Sequence, residues 1–313
     1  MSGKMGAAAA AIGMVLLILD PVTAMEGARQ GIGTCLQTLI PSLFPMMVLG
    51  IYLTGALDGS LILAGWLGGY PVGAKVVDQA YRSGRLSKGQ AQRMLVVCNQ
   101  CGPAFLFGVG HQILGRGWAC WLLWAILLLS AGIAGALLTK RSGLIPGGRT
   151  QPISFPQALE NGVKVMGTVC GWVVLFRVAL GFLERWGLDR ASVPVRAVTE
   201  GILELSNGCI VLMEASDPAM RFLICAGLMS FGGACVSMQT CAVTSPALNK
   251  TDYFLGKLLQ CCIATSLAWI AGQLIWGGLG RTILAVAVTA GTILGAYLKR
   301  AEKRCSIYHG IGV

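Results

Sequence analysis

From Gly117 to Thr139 the chain carries no charged side chain, and the runs at 30–57, 222–249, 258–280 and 282–298 are equally free of charge. A helix rises 1.5 Å per residue, so about 20 apolar residues cross the roughly 30 Å of hydrocarbon in a bilayer. Within lipid every backbone N–H and C=O must be bonded internally, which restricts a spanning chain to helices or a closed barrel. The alternating ten-residue strands of a barrel do not occur here. The expected fold is all-α: a polytopic integral membrane protein with about eight transmembrane or re-entrant helical segments, in two related halves with broken helices at the midplane. Composition agrees, since 12% of residues are charged and the mean hydropathy is +0.71, against about 25% charge in soluble domains.

The net charge of +11 would point to nucleic acid in a soluble protein. Here the basic residues fall between apolar runs, as Arg82, Arg85, Lys88 and Arg93, then Lys140, Arg141 and Arg149, then Lys299, Arg300, Lys303 and Arg304. Positive-inside bias accounts for them, which puts the linker and the tail in the cytoplasm and leaves no role for nucleic acid. Most of the twelve cysteines lie inside apolar runs as small hydrophobes. Cys98 and Cys101 form CxxC, but a zinc site needs a second pair or histidines, and only His111 and His309 exist. No metal or cofactor is expected. Without HExxH, GxxxxGK[ST] or GxSxG, the chain is not expected to be an enzyme.

Taken in order, residues 1–30 form an N-terminal transmembrane helix. The stretch 4–26 has a signal-peptide outline but is read as retained, with Asp20 at the interface. A first unit covers 31–139, a basic linker 140–154, a second unit 155–280, and a last helix with a basic tail 281–313. In the first unit, Pro41 and Pro45 bend or interrupt the segment 31–57. Ser87 with Gln90 has capping-box spacing, and Ala91, Met94, Leu95 and Cys98 make a helical apolar stripe. Gly69 and Gly201 lie 132 positions apart, as do Asn99 and Phe231, and this equal spacing suggests a duplicated order of segments. Gly291 and Gly295 give the last helix GxxxG spacing.

Function is concentrated where apolar segments break. Gly69, Pro71 and Gly73 unwind one segment, and Gly102 with Pro103 unwinds another. Exposed backbone at membrane depth is tolerated where it lines a cavity, the usual place of a transporter's solute site. Lys75, Asn99 and Gln100 sit at these breaks. A lysine at the centre of a span costs about 2.5–3.5 kcal/mol, so it has a partner or a function. For Lys75 the partner alternatives are Asp78, Glu204 or the cytoplasmic edge. Asn99 and Gln100 either bind solute or cap their own broken helix. Arg177 lies eight residues from Arg185, about 12 Å deeper along a helix, and either faces the pathway or snorkels.

GYPVGAK at 69–75 and CNQCGPAFLFG at 98–108 closely resemble the sporulation integral membrane protein YlbJ family, also called SpoVV, one of the nucleoside-recognition or Gate domain groups. IPSLFP at 40–45, ELSNG at 204–208 and FGGACVSMQT at 231–240 look like its other signatures in the same order. Two features depart from the family: the stretch between Leu57 and Gly68 is short, and the doublet after Cys98 reads Asn99-Gln100.

This resemblance implies a protein of the mother-cell-derived outer forespore membrane that moves dipicolinic acid, a small anionic solute. Alternatives are a nucleoside or other small solute, or a structural protein that transports nothing. The bilayer is the first partner, with a second copy or another spore-envelope protein also open. By similarity to nucleoside transporters, Glu204 and Asn207 join the substrate-binding set of Lys75, Asn99, Gln100, Gly102, Pro103, Arg177 and Gln239. Gly208, Gly232 and Gly233 join the broken-helix positions Gly69, Pro71 and Gly73.

Overall fold

The computed structural model describes residues 3–56, 61–138 and 153–276. The expected helix at 282–298 with Gly291 and Gly295, the basic tail, Asp58 and the linker core at 140–152 lie outside the described residues. Among the described residues all regular structure is helical. Five helices, Pro21–Leu53, Gly117–Leu137, Phe155–Arg185, Pro218–Val243 and Lys250–Trp276, are long and apolar enough to cross a membrane. Leu129, Leu175 and Leu274 stand exposed on them, as side chains facing acyl chains do.

The N-terminal stretch divides at Asp20. Helix α1 (Gly3–Leu19) stops there and α2 (Pro21–Thr34) begins. Pro21 occupies the first helical position, where a missing N–H costs nothing. The Asp20 carboxylate accepts the Thr23 N–H at 3.2 Å and the Thr23 hydroxyl at 2.7 Å. This spanning helix thus starts earlier than the uncharged run at 30, because Glu26 and Arg29 project from an exposed face. It continues through a wide π turn at Cys35–Leu39 into α3 (Ile40–Ala56). The disturbance expected from Pro41 and Pro45 is accordingly a bulge before the first proline, with the Ser42 hydroxyl donating to the Thr38 carbonyl at 2.6 Å.

Helix α4 (Leu61–Gly68) breaks at Gly69-Tyr70-Pro71 and resumes as α5 (Val72–Arg82). Ser87 and Gln90 close the expected capping box on α6 (Lys88–Cys98), whose apolar stripe is buried. Non-helical residues 99–102 follow, then α7 (Pro103–Phe105), a π turn, α8 (His111–Leu114) and α9 (Gly117–Leu137). After α10 (Phe155–Arg185), α11 (Val193–Leu203) and α12 (Leu205–Leu212) fold into a hairpin with Glu204 at its tip. Helix α13 (Pro218–Phe231) passes through Gly232 into α14 (Gly233–Val243), and α15 (Lys250–Trp276) follows.

Helix α10 lies along α2 and α3, and α15 packs on α13 and α9. Gly27 and Gly31 let α2 and α10 touch backbone to backbone: a Cβ on either would come within 2.9 Å of the Cα of Val178 or Val174. Two polar contacts fasten the same pair. Arg185 meets Asp20 at 2.7 Å, and Arg177, itself paired with Glu184 of α10 at 3.0 Å, donates to Gln30 of α2.

Candidate functional site

The breaks converge. Gly69 has φ of +69°, the left-handed region open to glycine, and a Cβ there would lie 2.9 Å from both Cα and N of Gly102. The backbones of the first two interruptions are therefore in direct contact. On the far side, Gly232 and Gly233 have φ of +84° and +79° and turn α13 into α14. The Tyr70 ring nests on this turn, 3.2 Å from where a Gly232 Cβ would stand, and its hydroxyl is shared between the carbonyls of Met229 at 3.2 Å and Ser230 at 3.3 Å.

Between these breaks is a cavity of about 50 Å³, room for a few waters at roughly 10–15 Å³ each. Gly69, Tyr70, Gly102, Glu204, Ser206 and Gln239 supply its polar and backbone lining, and Leu43, Phe105 and Val173 are among its apolar walls. Glu204 is buried at 2% exposure and caps α12, its carboxylate accepting the Asn207 N–H at 2.9 Å and the Asn207 side-chain amide at 3.0 Å. Gln239 is buried and donates to the Cys235 sulfur at 3.2 Å. Gly208 closes the α11–α12 hairpin, where a Cβ would lie 2.3 Å from Gly201 Cα.

Beyond Tyr70 and the 99–102 break lies a second polar group. Asn99, Gln100, Lys257 and Gln260 are all 0% exposed. Asn99 holds three elements at once: its Oδ1 accepts the Ala74 N–H of α5 at 3.3 Å, and its Nδ2 donates to Thr240 on α14 and Tyr253 on α15, both at 2.8 Å. It therefore caps a neighbouring half-helix rather than its own. Gln100 and Gln260 pair amide to amide, at 3.2 and 2.6 Å. The Lys257 ammonium donates to the Asn99 carbonyl at 3.2 Å, Gln100 Oε1 at 3.3 Å and Gln260 Oε1 at 2.6 Å, and stands 5.1 Å from the Tyr70 ring centroid. All of these partners are neutral. No carboxylate pairs with Lys257 among the described residues.

The sequence-derived set thus divides. Gly69, Gly102, Glu204 and Gln239 line the cavity; Asn99 and Gln100 lie just behind it; Pro71, Pro103, Gly232 and Gly233 border the breaks, whereas Gly73, Asn207 and Gly208 lie inside α5 and α12, the two glycines giving close approach to Cys98 and Gly201 instead of unwinding the chain. Lys75 is half-buried on α5 outside the cavity lining, and Arg177 clasps α2 and α10. Lys257, Gln260, Tyr253, Thr240 and Tyr70 were not singled out from sequence. A signal existed in Lys257 and Gln260, an i, i+3 polar pair inside a 27-residue apolar helix, but starting the uncharged run at 258 makes the lysine look like a helix end. No group of three or more potential metal ligands occurs among the described residues.

No family model matches the chain, and no solved structure does. The chain is similar to the sporulation integral membrane protein YlbJ of Bacillus subtilis (strain 168), with 21% identity over an alignment covering 78% of this chain and 76% of that protein. That relative, together with the five apolar helices, makes this an integral membrane protein similar to the very family that GYPVGAK and CNQCGPAFLFG resemble.

Proposed function

We propose that the chain is a sporulation membrane protein that moves a small solute, with the cavity at the meeting of the breaks as its binding site. Dipicolinate is the cargo that the family resemblance favours, and the outer forespore membrane the location. The observation that carries this reading is the convergence of non-helical backbone at Gly69-Tyr70, Cys101-Gly102 and Glu204 on one cavity. Broken helices cost hydrogen bonds in lipid, and a protein that only braced a membrane would gain nothing from them. The order of breaks supports two related halves: a bent hairpin at 69–71 and an interruption at 99–102 are followed by a hairpin at Glu204 and an interruption at Gly232–Gly233. Five long helices, the two hairpins and the apolar run at 282–298 support a total of about eight segments.

Purified protein in vesicles is expected to take up labelled dipicolinate above the level of empty vesicles, and uptake equal to empty vesicles in either orientation would refute the reading. One observation favours a second cargo class. Among the described lining residues Glu204 is the one carboxylate, and none is basic, which suits a neutral hydroxylated solute such as a nucleoside. Competition between nucleosides and dipicolinate in the same vesicles separates the two.

A further inference from the structure

We propose that Lys257, with the amides of Gln100 and Gln260, is a carboxylate-binding site that Tyr70 closes off from the cavity. This rests on the reading that the cargo carries carboxylate groups, and it assigns the positive charge that the cavity lining lacks.

Burial and partner chemistry carry the inference. An ammonium removed from water is expensive to hold unless an anion balances it. Lys257 is fully buried, yet the four groups around its nitrogen are a backbone carbonyl, two amide oxygens and an aromatic face. A protonated Lys257 is solvated by these groups, with no anion beside it. If Lys257 served only to join α15 to the 99–102 break, a glutamine or asparagine could make such bonds without burying a charge. Its position within α15 is also deep, seven residues beyond Lys250, or about 10 Å along the axis.

The surroundings can accept an anion. Gln100 and Gln260 present oxygens to the ammonium in this state. A carboxylate beside Lys257 takes the place of these two oxygens on the ammonium, while the amide nitrogens stay anchored to the carbonyls of Val96 and Leu127. Access is through Tyr70. Its ring lines the cavity on one side and covers Lys257 on the other, while its hydroxyl is tethered to the Met229 and Ser230 carbonyls at the α13–α14 turn. Release of that tether and movement of the ring would open Lys257 to the cavity. Tyr70 belongs to one break and its tether to another, so opening the site is coupled to movement between them.

The test is calorimetric binding of dipicolinate and of its uncharged dimethyl ester to the full-length protein in detergent. Wild type is expected to prefer the dianion. Lys257→Gln is expected to erase that preference by about 10-fold or more, the worth of a charge-assisted contact, and Lys257→Arg to retain it. Equal binding of dianion and diester by wild type, or an undiminished preference in Lys257→Gln, would overturn the inference. Should Lys257→Gln not fold, Tyr70→Phe decides: loss of the tether is expected to raise affinity for the dianion more than for the diester, and equal effects would overturn the inference. Failure of the transport reading has a different signature. Binding with this pattern but no vesicle uptake would refute transport and uphold the site, whereas uptake with an unaltered charge preference in Lys257→Gln would do the reverse.

Discussion

Asn99 shows at the level of one side chain how a broken helix is kept inside a membrane. Three of its hydrogen bonds reach α5, α14 and α15, so Asn99→Ala leaves buried partners unsatisfied. The expected loss is about 3 kcal/mol, read as a lower unfolding midpoint in mixed micelles. Asp20 acts at the boundary instead. Its hydrogen bonds from Thr23, helped by Arg185, hold its pKa below the usual carboxylate value. A depressed pKa stabilises the fold above the unfolded value, and the benefit is lost as pH falls through the folded one. Thermal melting should therefore separate wild type from Asp20→Asn near neutrality, with the difference vanishing on acidification. A difference that persists in acid would contradict the assignment. Asn99 and Gln100 were legible in sequence because they sit beside a Gly-Pro break. Lys257 was not, because only Gln260 lies near it in the chain, and its other partners come from the 99–102 break and Tyr70, over 150 positions away.

Among elements, packing of α2 on α10 gives the clearest prediction. Gly31→Ala would drive a methyl to 2.9 Å from Val174 Cα, whereas Gly33→Ala meets nothing within 4 Å. Overpacking of this kind costs about 1–3 kcal/mol, so the first variant should melt earlier in detergent and the second as wild type. At the α11–α12 tip, Glu204→Ala removes the cap and should cost about 1 kcal/mol. Glu204→Gln keeps an acceptor for Asn207 and should melt close to wild type. Helix interiors and the Ser87–Gln90 box were readable because both are set by near neighbours. The start of a span at Pro21 was harder to see, since it depends on Glu26 and Arg29 turning to an exposed face. The π turn at Cys35–Leu39 likewise depends on how the helix absorbs two prolines four apart.

For the whole molecule, the sequence located the breaks at 69–71, 99–102 and 232–233 but not the direction in which each faced. Contact between Gly69 and Gly102, and between Tyr70 and the Gly232 turn, is a property of packing across the chain. It creates the cavity assigned here to the solute. Filling that space tests the central claim most directly. Ala104 lines the cavity, and Ala104→Trp places an indole in a volume of about 50 Å³. Labelled dipicolinate uptake should be present in wild-type vesicles and fall to the empty-vesicle level in Ala104→Trp, with the unfolding midpoint showing that the variant is folded. Uptake by folded Ala104→Trp at the wild-type rate would contradict the claim.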